Sequence, residues 1–241
     1  MSDTPPMPAV PGAPGPRIEV GTAISWAFDR FRANAAAFIG LAAVVTVIQL
    51  VQQVGTGPLR NIVTDCTDAQ SPGQVNACTA ALGLYAIVTI IIALVFGVLA
   101  FLAQIGVQRA AIRNTQGVPP TFASMLTTQN LGKYIGFILL YAVLFFLGLV
   151  LCVLPGLIVL FLFQLGPYYI LDKGVGVMQA FRSSVNVVTK NLGPALLMTL
   201  VNALAAILGG VLFGVLTLVT LPFATLFTAH MYRQFNGEPI R

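Results

Sequence analysis

Residues Tyr134 to Leu171 read YIGFILLYAVLFFLGLVLCVLPGLIVLFLFQLGPYYIL, 38 positions without one Asp, Glu, Lys or Arg. A helix crosses a bilayer core with about 20 apolar residues. The run is therefore too long for one crossing and about right for two. Leu154-Pro155-Gly156 falls near its middle, and Pro-Gly is a turn signal. The stretch reads as a helical hairpin with spans at 134–153 and 156–171. Downstream, Leu192 to Tyr232 is likewise free of those four residue types. It reads as a second hairpin, with spans at 192–212 and 215–232. Its turn is expected between Gly209 and Thr220, where Gly209, Gly210 and Gly214 give the backbone freedom. Upstream, 35–54 and 80–104 are long enough for one span each. The expectation is an all-α membrane protein with six transmembrane helices in one polytopic domain, residues 18–237.

Composition agrees. The 241-residue chain is 57% hydrophobic and 8% charged, with a mean hydropathy of +0.91. Soluble domains are about a quarter charged, so much of this apolar surface must face something other than water. The N-terminal stretch 1–17 is rich in proline, which fixes φ and removes a donor. It is expected to be a disordered cytoplasmic tail, and 238–241 a short C-terminal tail. The net charge of +5 comes from scattered residues with no clustered patch, which argues against a nucleic-acid partner. Placed on six spans with the N-terminus inside, the inner segments hold Arg17, Arg30, Arg32, Arg109, Arg113, Lys133, Lys173, Arg182, Lys190, Arg233 and Arg241. The outer ones hold Arg60 alone. This bias follows the positive-inside rule. It predicts a multi-pass protein of the cell (plasma) membrane with both termini cytoplasmic.

The chain also repeats itself. Asn130-Leu131-Gly132 recurs at Asn191-Leu192-Gly193, and Leu147-Gly148-x-Val150-Leu151 recurs at Leu208-Gly209-x-Val211-Leu212. Phe101-Leu102-Ala103-Gln104-Ile105-Gly106 resembles Phe161-Leu162-Phe163-Gln164-Leu165-Gly166. Amphipathic stretches precede three of the spans, with apolar residues at helical spacing. The first includes Val20, Ile24, Phe28 and Phe31, the second Phe122, Met125 and Leu126, and the third Met178, Phe181, Val185 and Val188. They are expected to lie in the headgroup layer, with Trp26, Phe28, Phe31 and Phe181 toward lipid. Asn34, Asn130 and Asn191 follow them as N-caps for the next span. The architecture reads as three repeats of interfacial helix plus transmembrane hairpin.

The segments Ala27-Phe-Asp-Arg-Phe-Arg-Ala-Asn34, Cys152-Val-Leu-Pro-Gly156 and Ala180-Phe-Arg-Ser-Ser-Val-Asn-Val-Val-Thr-Lys-Asn191 resemble uncharacterised actinobacterial integral membrane proteins. These are similar to the membrane region attached to some glycerophosphodiester phosphodiesterases. The resemblance implies a polytopic membrane domain and little about activity. The catalytic domain of that chemistry is not expected within this chain, since it uses several His and acidic residues and the chain has one His.

Candidate chemistry is sparse. His230, the one histidine, reads as an interfacial polar residue. Cys66 and Cys78 are expected outside, where disulfides persist, and are the disulfide candidate. Cys152 reads as a buried small residue within a span. No ionisable residue falls deep in a span, which argues against an ion-coupled pathway. Gln104 and Gln164 are either packing glue between helices or the lining of a polar pathway. No cofactor, metal site or catalytic set is read, so no enzyme is expected. The leading expectation is a non-enzymatic scaffold or accessory subunit of a membrane complex. Its partners would be the lipid bilayer and other membrane proteins or itself. The alternative is a small permease or lipid-handling protein.

Overall fold

The computed structural model describes residues 18–56, 71–121, 127–211 and 216–241. The described residues form helices joined by short connections, with no strand among them. In chain order they are α1 (Val20–Ala33), α2 (Ala35–Thr56), α3 (Pro72–Asn114), α4 (Leu131–Leu151), α5 (Val153–Phe163), α6 (Gly166–Lys173), α7 (Val177–Lys190), α8 (Leu192–Val211) and α9 (Thr217–Phe235). Among the described residues, five stretches are long and apolar enough to cross a membrane: Ala35–Val54, Gly73–Asn114, Leu131–Leu151, Val153–Lys173 and Leu192–Gly210.

The expected sixth span, 215–232, begins outside the described residues, and its described part is not among these five. Helix α9 begins at Thr217 within it, and its half nearer the C-terminus carries the polar side chains Thr225, Thr228, His230 and Arg233. Its position accommodates them. Helix α9 packs against α1, α2, α3 and α8, and every residue from Thr225 to Arg233 is buried. A helix enclosed by other helices can carry polar side chains that hydrogen-bond its neighbours.

Helix α3 is longer than the expected 80–104. Ser71 and Gln74 close a reciprocal cap at its start (Ser71 N to Gln74 Oε1, 3.2 Å; Gln74 N to Ser71 Oγ, 3.3 Å), satisfying donors that a helix start leaves free. Its 43 residues span about 65 Å at 1.5 Å each.

The turn between α4 and α5 falls at Cys152, two residues before the expected Leu154-Pro155-Gly156. Cys152 is extended (φ −175°, ψ 154°), and Pro155 sits in the first turn of α5, where its missing N–H is no loss. Gly156 serves close approach instead. A Cβ on Gly148 would lie 2.7 Å from the Gly156 backbone nitrogen, so the two helices cross with backbones nearly touching. Being at the turn, Cys152 is an exposed free thiol, not a buried one.

Asn34 and Asn191 behave alike. Each side-chain Nδ2 donates to the carbonyl four residues back, Arg30 O at 3.2 Å and Val187 O at 2.9 Å. Each backbone carbonyl accepts from the next helix, from Phe38 N and Ala195 N. They end the preceding helix with the side chain and start the next with the backbone. Asn130, with φ 60°, makes no side-chain cap.

Candidate functional site

The termini of α3, α4, α6 and α9 meet at one end of the bundle, and charge collects there. Arg233, near the end of α9, is buried. Its Nη2 donates to Asp172 Oδ1 (2.7 Å) at the end of α6, and its Nε to Thr115 Oγ1 (3.2 Å) just beyond α3. Its Nη1 pairs with Glu238. Tyr232 OH donates to Asp172 Oδ2 (3.0 Å), and Lys173 Nζ pairs with Glu238 Oε1 (2.7 Å). Arg241 N donates to Thr115 O (3.0 Å). Residues 238–241, expected as a short C-terminal tail, are docked onto the ends of three helices.

Burial raises the Glu238 pKa, but the hydrogen bonds and charges of Lys173 and Arg233 outweigh it, and the net shift is downward. A carboxylate held below its unfolded pKa adds stability above that value and loses it as pH falls through the folded one. Melting temperature should thus fall on acidification below the ordinary glutamate range. Glu238→Gln should flatten that acid limb. An unchanged limb would show that Glu238 is not its source.

Beside this knot, α1 lies across α9. Trp26 packs on His230 (ring centroids 4.9 Å). Glu19 N donates to Gln234 Oε1 (2.9 Å), which orients the amide so that its Nε2 faces His230 Nδ1 at 3.3 Å. Nδ1 is then the acceptor, and the proton sits on Nε2. His230 is 4% exposed, buried between α1 and the bundle.

The four residues expected toward lipid divide. Phe31 is buried with Ala23 and Ala27 on the face of α1 that meets the bundle, while Phe28 is exposed on the neighbouring stripe with Ile24. Arg32 lies over the Phe28 ring and Arg30 over Trp26. Phe181 is buried, stacked on Phe137 (4.2 Å) and edge-on to Phe163 (4.6 Å). Periodicity identified the apolar faces but could not say which would meet protein.

Gln104 and Gln164 are not brought together. Gln104 lines a cavity of about 340 Å³ with Tyr168, Asn202, Thr217, Thr225 and Thr228. Across its wall Asn202 Nδ2 donates to Thr228 Oγ1 (2.9 Å). Gln164 sits elsewhere, where its Oε1 accepts from Thr199 (3.1 Å) on α8. A larger, mostly apolar groove of about 670 Å³ runs between α4, α5 and α7, lined by Leu140, Leu144, Phe163, Met178, Phe181 and Val185, with Arg182 and Asn186 also in its wall.

A small cavity of about 170 Å³ opens beside the charged knot, walled by Arg109, Ile112, Arg113, Gln116, Gln129, Leu171 and Asp172. In the sequence, Arg109 and Arg113 read only as topological charges. Their spacing of four, on one helix face, was the available signal. Among the described residues no three His, Cys, Asp or Glu stand together as metal ligands. Cys66, Phe122, Met125, Leu126, Gly214 and the 1–17 tail lie outside the described residues.

The chain is similar to uncharacterized proteins of Mycobacterium bovis and Mycobacterium tuberculosis. Each match is 27% identical over 236 residues, covering 92% of this chain and 70% of the relative. No family profile matches the chain, and no solved structure matches it.

Proposed function

We propose that this chain is a non-enzymatic multi-pass protein of the cell membrane that serves as a scaffold or accessory subunit. The observation that carries this is α3. Almost none of its most apolar stretch is buried by the rest of the chain. Leu84, Ile87, Ile91, Leu94 and Val98 are all exposed, at the three- and four-residue spacing of one helix face. A Cβ added to Gly83 or Gly97 would meet nothing. That is a face on which another apolar helix can lie, and small residues permit close approach. The test is purification in mild detergent. A partner held in fixed stoichiometry, and lost on Gly97→Ile, supports the reading. A chain that runs alone in both forms overturns it.

The alternative is lipid handling. It is favoured by the groove between α4, α5 and α7, which places Arg182 beside an apolar slot. Lipid retained in molar amounts and displaced by Val185→Trp would support it over the scaffold.

The topology belongs to the same proposal: six spans, with α9 as the enclosed sixth, three repeated units and both termini cytoplasmic. The 11-to-1 charge segregation supports it, and the matched Asn34 and Asn191 junctions support the repeat. A cysteine placed at Arg113 or Arg182 should resist an impermeant maleimide in intact cells, and labelling at either would overturn the orientation. The Cys66–Cys78 bridge is part of it too. Non-reduced protein, denatured under trapping conditions, should carry one alkylatable thiol, Cys152, where three would refute the bridge.

A further inference from the structure

We propose that the cavity walled by Arg109, Arg113, Gln116 and Gln129 at the end of α3 binds a phosphate group. Arg109 is 6% exposed. Its Nη2 donates to the Gln129 carbonyl, and its Nε is buried without a partner. Among the described residues it forms no ion pair, the pairs there being those of Lys173 and Arg233. A buried cation without a counter-charge is costly, and here it borders an open cavity. Arg113, one turn on, is exposed, likewise unpaired, and lines the same cavity.

Among the described residues the one acid in the wall is Asp172, and it is already committed. Arg233 and Tyr232 take its two oxygens, and the Gln116 amide lies at 3.5 Å. Its charge is offset by Arg233, so the two guanidinium groups remain unbalanced. Planar guanidinium forks match phosphate oxygens bidentately. The amides of Gln116 and Gln129 can supply further donors. At about 170 Å³ the space admits a phosphate group and not a whole phospholipid. The phosphate could come from a lipid headgroup whose chains stay outside, or from a soluble phosphate or phosphate ester. This proposal is independent of the scaffold reading.

Thermal melting of the full chain in detergent tests it, with two probes. The first is inorganic phosphate against chloride at equal ionic strength. The second is phosphatidic acid against phosphatidylcholine in mixed micelles. At about a hundredfold excess over Kd, a ligand bound only by the folded state raises Tm by roughly 5–10 °C. A shift with inorganic phosphate assigns a soluble source, and a shift with phosphatidic acid alone assigns the headgroup. In either case Arg113→Gln should remove most of the shift and Arg113→Lys should keep part of it. Arg113 is exposed, so these variants should fold. Arg109→Met should abolish the response while leaving the unliganded protein no less stable. No shift with either probe, or an equal shift in Arg113→Gln, overturns the site.

Discussion

Replacing Arg233 by Met should cost about 3–5 kcal/mol of stability, the cost of breaking a buried ion pair from one side. The Arg233 and Asp172 side chains are each 8% exposed. Without the guanidinium, Asp172 keeps the Tyr232 hydroxyl (3.0 Å) and the distant Gln116 amide, and neither neutralises a carboxylate. Thr115 and Glu238 lose a partner in the same step. The four groups belong to α9, α6, the end of α3 and the C-terminal segment, so one substitution loosens four segments together. Asp172→Asn should cost less, because Arg233 keeps Glu238. Denaturation in detergent measures both. A loss below about 1 kcal/mol for Arg233→Met, the range of an exposed pair, would show that the ion pair is not holding this end together.

Phe137→Ala should cost a similar amount, about 3–5 kcal/mol, as the truncation of a fully buried aromatic. Phe137 is 0% exposed and stacks on Phe181. It also covers Gly166, where an added Cβ would run into the Phe137 ring. Gly166→Ala alone should therefore cost about 1–3 kcal/mol through overpacking. The two changes share one space, so they should not add. With the ring gone, the new methyl has room, and the double variant should be less destabilised than the sum. Strict additivity would mean that the ring and the glycine do not share that space.

Much of the architecture was legible in the sequence because a charge-free apolar run of bilayer length is stable almost only as a membrane-crossing helix. The charge-free stretches at 134–171 and 192–232 announced paired helices, and in the structure one helix gives way to another within each. The exact break at 152 did not follow from the Pro-Gly signal. Proline fits a first helical turn as well as it fits a connection, and Gly156 was needed where α4 and α5 touch. The same ambiguity hid Phe31 and Phe181, since an amphipathic period has one appearance whether its apolar face meets lipid or protein. The candidate anion site was hardest to see, because Arg109 and Arg113 also fit a topological role.

By itself, the sequence determined that the chain is helical and that several helices are apolar along a bilayer-spanning length. It did so through local composition, where each residue's transfer preference adds to its neighbours'. Only the tertiary structure decided that α9 is the enclosed helix, that Arg233 is ion-paired and that Arg109, among the described residues, is not. Those outcomes depend on which distant segments arrive at the same place. Asp172 and Arg233 lie 61 positions apart, and Arg233 and Thr115 lie 118 apart. No local pattern encodes a meeting at that range. It is set when helices pack their apolar faces and carry their charged ends to one side.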